Sequence, residues 1–247
     1  MKNNDILNEG DNKKVSKFTP INYKKSEKLL QNSKWYKKNK DKFLFRSVNY
    51  SYDIEDEYGT MAAPLIEERT MKKRPPTDTP AFINDTVNDE FKKQFGLKAS
   101  PREVGFFALN TNNPQELRKY SSNIYKCVPL DENYKLYVIP TAYDFFEHLE
   151  EKVTNYLKEF VPIKSVVFFY ELKEIKTWKQ FRELLVNDVQ KNYTEKDVDL
   201  IIEEVKQIIA GVVSQYQEVD RIDAMRDSMQ EVVIVSNSLL LMPEDFD

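Results

Sequence analysis

Hydrophobic and polar positions along this chain follow strand-like and helix-like patterns in an irregular order. Short runs rich in aromatic and β-branched residues predict strands. The predicted strands lie near Phe43, Val104, Ile124, Tyr134, Ile163, Val232 and Leu239. The run from Ile163 to Tyr170 is continuously apolar, which is typical of a strand buried on both faces. The residues from Leu130 to Asn133 predict a turn that joins their flanking strands as a hairpin.

Apolar positions three to four residues apart predict helices between these strands. The predicted helices cover Asn84 to Phe95, Asn113 to about Tyr120, the segment after Asp144, Trp178 to Val189, Glu195 to Gln217 and Asp220 to Met229. Gly96 is placed to end the first of them in a left-handed conformation. Thr141 with Asp144 is predicted to cap the helix in the segment after Asp144, and Thr194 and Asp197 have the spacing of a capping box before the longest helix. The mixture of elements predicts an α+β fold.

Charge is distributed unevenly along the chain. Residues 1–42 contain 12 Lys and no Arg against 5 Asp and Glu, a net charge of +7, and the remaining 25 basic and 36 acidic residues give −11. We therefore expect a basic, partly disordered N-terminal arm over 1–42 and a single α+β domain over 43–247. Leu29, Leu30 and Trp35 predict one short helix of the arm that packs on the domain.

Composition excludes several classes of protein. A single cysteine, Cys127, rules out an internal disulfide framework and a cysteine-based zinc site. The one histidine, His148, lies among glutamates of a predicted helix surface, and the five glycines form no phosphate-binding loop. No apolar run approaches the roughly 20 residues of a membrane span, and the Lys- and Asn-rich start lacks an apolar signal region. We expect a protein with no metal and no membrane contact, and one that is not secreted.

Polar residues within or next to three predicted strands are candidates for an active site. Arg46 lies within the first strand, Asn110 and Thr111 follow the second, and Glu231 opens the penultimate one. A buried charge is costly unless it is paired or functional. Taken singly, each of these residues is more simply explained as a strand-edge charge or a salt-bridge partner. The basic, proline-rich loop from Lys72 to Pro80 is a further candidate anion site, although an exposed, solvated loop is the simpler explanation.

The order of these polar residues resembles that of the ADP-ribosyltransferase fold, which has Arg or His on a first strand, Ser or Thr on a second and Glu at the start of a late strand. Residues from about Phe43 to Asp144, with Asp220 to Met242, more closely resemble bacteriophage-encoded ADP-ribosyltransferase-like proteins. The matching pieces are Phe45-Arg46-Ser47, Arg74-Pro75-Pro76-Thr77-Asp78-Thr79, Phe95-Gly96, Arg102 with Phe107-Ala108-Leu109, Tyr120-Ser121, and Glu231-Val232-Val233-Ile234. The resemblance implies split mixed or antiparallel sheets with surrounding helices, and a helical insertion at about 172–218.

The resemblance also implies a reaction, the cleavage of the nicotinamide–ribose bond of NAD with transfer of ADP-ribose to a host or phage protein. Glu231 is the implied catalytic residue, because a carboxylate near the ribose offsets positive charge in the transition state. The implied NAD-binding residues are Arg46, Arg74, Arg102, Asn110, Thr111 and Phe107. Arg46 would hold the pyrophosphate or the adjacent ribose, and Arg74 and Arg102 would complete the anion site. Asn110 or Thr111 would orient Glu231, and Tyr50, Phe106 or Phe107 would stack on nicotinamide. The expected location is the host cytoplasm or the virion.

Four positions depart from the family pattern. Ser47 and Ser121 replace glycines, Leu109 replaces the Thr of the second strand, and Met229 replaces a Glu or Gln two residues before the catalytic Glu. They favour an alternative, a catalytically inactive member of the fold that acts as a virion component or binds a host factor. A third alternative, nucleic-acid binding led by the arm, is disfavoured by the acidic domain.

Overall fold

The computed structural model describes most of the chain in thirteen stretches. They are residues 18–20, 23–39, 42–48, 52–56, 59–63, 67–70, 79–119, 123–139, 144–160, 172–188, 194–220, 222 and 230–244. The strands in these stretches are β1 (Phe18–Pro20), β2 (Leu44–Val48), β3 (Tyr52–Asp56), β4 (Gly59–Ala63), β5 (Glu67–Thr70), β6 (Phe106–Asn110), β7 (Asn123–Pro129), β8 (Lys135–Val138), β9 (Gln217–Val219), β10 (Gln230–Val235) and β11 (Ser238–Pro243). The α-helices are α1 (Tyr23–Asn32), α2 (Lys34–Lys38), α3 (Ala81–Phe95), α4 (Pro101–Val104), α5 (Phe145–Leu157), α6 (Trp178–Asp188) and α7 (Glu195–Val213), with one 3₁₀ helix (Pro114–Lys119). The α+β class predicted from the sequence is thus confirmed.

Nine of the described strands form one sheet in the order β1-β5-β11-β7-β2-β6-β10-β8-β9, and β3 and β4 form a separate hairpin. Every pairing among them is antiparallel. The join between β2 and β6 is narrow, because β2 pairs with β7 along its whole length but with β6 through Phe45 and Leu109 alone. The sheet therefore consists of two blocks that meet at one residue pair, next to Arg46.

The two faces of the sheet are buried in different cores. On β10, Val233 joins the core formed with α3, α5, α6 and α7, where it lies with Phe91, Leu149 and Ile209. Its neighbour Val232 joins a second core on the other face. Successive side chains of a strand point to opposite faces. On β6 and β10, alternate residues therefore pack into the two different cores.

Several local predictions are confirmed. α3 ends at Gly96, which has a left-handed φ of 63°. Of the predicted cap Thr141 with Asp144, Asp144 is the N-cap of α5 and accepts hydrogen bonds from the backbone N–H groups of Phe146 and Glu147, while Thr141 lies outside the described residues. The Thr194 and Asp197 capping box is present at the start of α7. In each case the responsible chemistry lies within one helical turn of the sequence.

Other predictions are wrong. β7 and β8 are not a hairpin, since β7 pairs with β2 and β11 while β8 pairs with β9 and β10. The turn between them is real, but each strand finds partners that are distant in sequence. The strand expected from Val104 begins at Phe106, because Pro101–Val104 form α4. Residues 161–171 and 223–229 lie outside the described residues, so the strand over Ile163 to Tyr170 and most of the helix over Asp220 to Met229 stay predictions.

The second half of the basic arm consists of two helices rather than one. Trp35 on α2 is completely buried in the core on the far face of the sheet. Ser33 caps α2, and its hydroxyl also donates a hydrogen bond of 2.7 Å to the carbonyl of Pro129 on β7. The two helices are therefore attached to the sheet by both apolar packing and a hydrogen bond.

Candidate functional site

Arg102 and Glu231 form a buried ion pair although 129 positions separate them in the chain. Arg102 Nη1 lies 2.6 Å from Glu231 Oε1, and the two side chains are 4% and 11% exposed. Arg102 belongs to α4 and Glu231 to β10. Both residues were predicted as site residues, and the fold brings them into direct contact.

The local sequence around Arg102 fixes the position of α4. Ser100 and Glu103 form a reciprocal capping box, and Pro101 occupies the first turn. The helix ends at Gly105, where an added Cβ would lie 2.5 Å from Val233 Cγ1 on β10. Only glycine allows this close approach of α4 to the sheet. The capping box and Gly105 together therefore place α4 so that Arg102 contacts Glu231.

Tyr216 completes the polar contacts of the ion pair. Its hydroxyl lies 2.6 Å from Arg102 Nη1 and 3.0 Å from Glu231 Oε1. Burial raises the pKa of Tyr216 well above its usual value, and the carboxylate of Glu231 raises it further against the opposing effect of Arg102. Burial alone would lower the pKa of Arg102, but Glu231 and Tyr216 together hold that pKa above its usual value. The protonated tyrosine thus acts as donor to the carboxylate.

Three aromatic rings surround the guanidinium of Arg102. Its Cζ lies 4.5 Å from the ring centroid of Phe107, 4.5 Å from that of Phe145 and 4.3 Å from that of Phe146. Phe107 comes from β6, and the other two rings form the first turn of α5, whose position is fixed by the Asp144 cap. Cation–π attraction offsets part of the cost of burying the charge.

A closed pocket adjoins this cluster; its lining side chains, Ile139, Phe145, Tyr216 and Glu231, leave no room between them for a water molecule. Both hydrogen bonds to Glu231 end on Oε1. Oε2 accepts none from the described residues. One carboxylate oxygen is therefore held in place, while the other has no hydrogen-bond donor from the part of the chain that the structure describes.

Arg46 does not join this cluster, which corrects the expectation that it converges with Glu231 on one cleft. Glu231 is opposite Leu109 in the ladder, and Leu109 is opposite Phe45. Paired residues share a face and adjacent residues alternate, so Arg46 lies on the face opposite to Glu231. There its Nη1 donates to the carbonyl of Phe107 at 2.9 Å, and its Cζ lies 4.6 Å from the ring of Phe106.

Asn110 and Thr111 do not contact Glu231 through any hydrogen bond recorded among the described residues. Asn110 Nδ2 donates to Gln230 Oε1 at 3.3 Å, and the hydroxyl of Thr111 accepts from the backbone N–H of Asn113 at 3.0 Å. The residue opposite Glu231 on β6 is Leu109, which has no polar atom in its side chain. The predicted orienting role therefore falls to Arg102 and Tyr216.

The remaining candidates are Phe107, which belongs to the cluster around Arg102, and Arg74. Phe107 contacts Arg102 through its ring and Arg46 through its carbonyl, so it links the two faces of the sheet. Arg74 lies outside the described residues. Sequence reasoning missed Tyr216 because the predicted helix ran on to Gln217 and included it, whereas α7 ends at Val213, and no motif marks Tyr216. The Asp144 cap was the one signal that could have placed the Phe145 and Phe146 rings together at a helix start.

Comparison with family models, with curated proteins and with solved structures finds no match to this chain. None of the helices in the described residues is long and apolar enough to span a membrane. Across the same residues, no group of three or more His, Cys, Asp or Glu side chains is placed to hold a metal ion. The geometry around Glu231 is therefore the basis for a proposed function.

Proposed function

We propose that this chain is a bacteriophage-encoded ADP-ribosyltransferase-like protein that cleaves NAD at Glu231 and transfers ADP-ribose to a host protein. The observation that carries the proposal is the difference in hydrogen bonding between the two carboxylate oxygens of Glu231. Oε1 is held by Arg102 and Tyr216, and Oε2 accepts no hydrogen bond from the described residues. The side chains beside it are both apolar, in Ile139 and Phe145, and polar, in Tyr216.

The proposed reaction breaks the bond between nicotinamide and ribose. The bonding electron pair leaves with the nicotinamide nitrogen, the acceptor nucleophile forms the new bond to the ribose carbon, and the acceptor loses a proton. Glu231 Oε2 accepts a hydrogen bond from a ribose hydroxyl and offsets the positive charge that develops on the ribose. Arg102 and Tyr216 keep the carboxylate from rotating away.

The size of the pocket restricts which part of NAD is bound there. The side chains that line it leave no room for a water molecule, whereas typical small-molecule sites have roughly 300–1,000 Å³. The proposal therefore requires these side chains to move apart to admit the ribose and the adjoining ring, and the rest of the dinucleotide lies outside the pocket. The pyrophosphate contact that the resemblance assigned to Arg46 is not part of this arrangement, because Arg46 approaches the sheet from the other face.

A second candidate function is a protein of the same group that binds a host factor or a virion protein without turning over NAD. The position of Leu109 favours it. Leu109 is directly opposite Glu231 in the ladder and replaces the Thr of the family motif. A leucine at this point cannot donate a hydrogen bond to the carboxylate, so a contact that the motif would supply is missing.

One experiment separates the two candidates. Isothermal titration with NAD and measurement of nicotinamide release are carried out on the wild type, on Glu231→Gln and on Glu203→Gln. Glu203 is an exposed residue of α7 and serves as the matched control. The enzyme proposal expects binding and release in the wild type and the control, with a loss of release of about 100-fold or more in Glu231→Gln.

The opposite results are equally informative. Binding without release of nicotinamide supports the inactive candidate, and Leu109→Thr then tests whether the missing hydroxyl is responsible. If the wild type neither binds nor cleaves NAD, the enzyme proposal is wrong. Labelled NAD added to a host lysate identifies the protein acceptor if release is observed.

A further inference from the structure

The two helices of the basic arm present a concentrated positive charge on the surface of the protein. The described residues from Tyr23 to Lys42 contain seven Lys and one acidic residue, Glu27, whereas residues 43–247 have a net charge of −11. Six of these seven lysines, all except Lys42, are exposed. These two helices therefore carry an excess of positive charge, whereas the rest of the chain from residue 43 has a net negative charge.

The lysines lie on the outer face of each helix. At 100° per residue, Lys24 and Lys28 fall on the side of α1 opposite to the inward-facing Ser26 and the partly buried Leu29 and Leu30. On α2 the buried residue is Trp35. By the same geometry Lys37 lies on the side opposite to Trp35, and Lys34 lies about 100° to one side of it. All four of these lysines are exposed.

The helices are fixed to the sheet, so the lysines are presented by an ordered surface. Trp35 is completely buried, and Asn39 Oδ1 accepts a hydrogen bond of 3.1 Å from the backbone N–H of Ile222. Lys38 is paired with Asp220 at 3.1 Å, which leaves it less available to a partner. The best placed cations are Lys24, Lys28, Lys34 and Lys37, for which no ion pair with a described residue is recorded.

We propose that the outward face of α1 and α2 binds the phosphate backbone of nucleic acid without sequence preference. Lysine is a point charge suited to phosphate, whereas bidentate reading of bases is done mainly by arginine, of which residues 1–42 have none. Gln31 and Asn32 are exposed beside the lysines and are of a type that also donates to phosphate. This inference does not depend on the proposed reaction with NAD.

An anionic membrane fits the surface less well than nucleic acid does. A helix that binds in the membrane interface inserts an apolar face between the lipids. In α1 and α2 that face is already used, because Leu29, Leu30 and Trp35 pack in the core against the sheet. Only the charge is left to bind an anionic partner, and a polyphosphate chain matches a row of lysines.

The experiment measures the anisotropy of a labelled 30-base-pair duplex with the full chain between 50 and 200 mM salt. Four phosphate contacts predict that log K falls against log salt with a slope of about −3 to −4. Two duplexes of unrelated sequence are expected to bind within about threefold of each other, because no base is read. Absence of binding at the lowest salt, or strong sequence preference, overturns the proposal.

A pair of variants with equal charge change locates the binding surface. The first carries Lys24→Glu, Lys28→Glu, Lys34→Glu and Lys37→Glu, and the control carries Lys98→Glu, Lys152→Glu, Lys158→Glu and Lys196→Glu, all at exposed positions. The arm variant is expected to lose binding and the salt slope, while the control keeps a slope close to that of the wild type. Circular dichroism melting verifies that both are folded. Equal losses in the two variants overturn the proposal, as does binding to vesicles containing phosphatidylserine but not to the duplex.

Discussion

Arg46 and Arg102 contact Phe107 from opposite faces of the sheet. Arg46 donates to the carbonyl of Phe107 at 2.9 Å, while the guanidinium of Arg102 lies 4.5 Å from the centroid of its ring. Arg102 alone then reaches Glu231. The two arginines that the sequence makes equivalent candidates therefore have different roles, one at the join between β2 and β6 and the other in the cluster beside the pocket.

The ion pair between Arg102 and Glu231 is expected to be important for stability. Arg102→Met leaves the carboxylate of Glu231 without its cation in a buried position, and we expect the free energy of unfolding to fall by about 3–5 kcal/mol. Urea denaturation gives this value. In Arg102→Met with Glu231→Gln, the loss is expected to be smaller than the sum of the two single changes, because the two residues are coupled.

The matched control is Arg182→Met. Arg182 has equally close partners in Asp199 at 2.6 Å and Glu195 at 3.0 Å, but these pairs are exposed. Solvent screens an exposed pair, so the stability of this variant is expected to stay close to that of the wild type. If both arginine variants lose the same stability, burial is not what makes the Arg102 pair strong.

Tyr216 is expected to make stability depend on pH in alkaline solution. Burial raises the folded-state pKa of Tyr216 above the unfolded value of about 10. Its contribution is therefore intact below pH 10 and is lost as the pH rises toward the folded-state value, because the unfolded chain releases the proton first. The free energy of unfolding of the wild type should fall more steeply above pH 10 than that of Tyr216→Phe, by up to about 1.4 kcal/mol per pH unit.

Urea denaturation at pH 9, 10 and 11 measures this difference. The other buried tyrosines, including Tyr137, are present in both proteins, so the difference between the two profiles isolates Tyr216. Parallel profiles above pH 10 would show that Tyr216 is not held protonated by the fold.

Features that depend on residues close in the chain, such as helix ends, are predicted from the sequence. Strand pairings between residues far apart in the chain are not. Gly96, Asp144 and the Thr194 cap are recognised because each acts within one turn of a helix. The partners of β7 and β8 are not recognised, since the turn between these strands is compatible with a hairpin as well as with two separate pairings. Which strands pair is decided by packing over the whole sheet.

The same distinction applies to the candidate site. Arg46 and Glu231 each lie on a strand as expected, but a difference of one position in register sends their side chains to opposite faces. Such a register cannot be obtained from the pattern of a single strand. The contact between Arg102 and Glu231 was likewise not predicted from the sequence. The Ser100 and Glu103 capping box, which places Arg102 at a helix start, is a local pattern that the prediction missed.

Gly105 is expected to be essential for the position of Arg102. An added Cβ would meet the backbone carbonyl of Pro101 and lie 2.5 Å from Val233 Cγ1, so Gly105→Ala forces α4 away from β10. We expect a loss of about 1–3 kcal/mol in the free energy of unfolding. Gly211→Ala is the control, because nothing lies within 4 Å of its added Cβ in α7. That variant should gain about 0.5–1 kcal/mol, and a loss of similar size in both variants would contradict the argument.

Trp35 is expected to hold α1 and α2 on the sheet through its volume and not through its indole N–H. The side chain is completely buried, and its Nε1 has no hydrogen-bond partner among the described residues. Trp35→Ala should therefore cost about 3–5 kcal/mol and speed amide hydrogen exchange in both helices. Trp35→Phe keeps most of the ring volume and removes only an unpaired donor, so its cost should be much smaller. If Trp35→Phe were as damaging as Trp35→Ala, the N–H would have to be satisfied in solution, and the packing argument would be wrong.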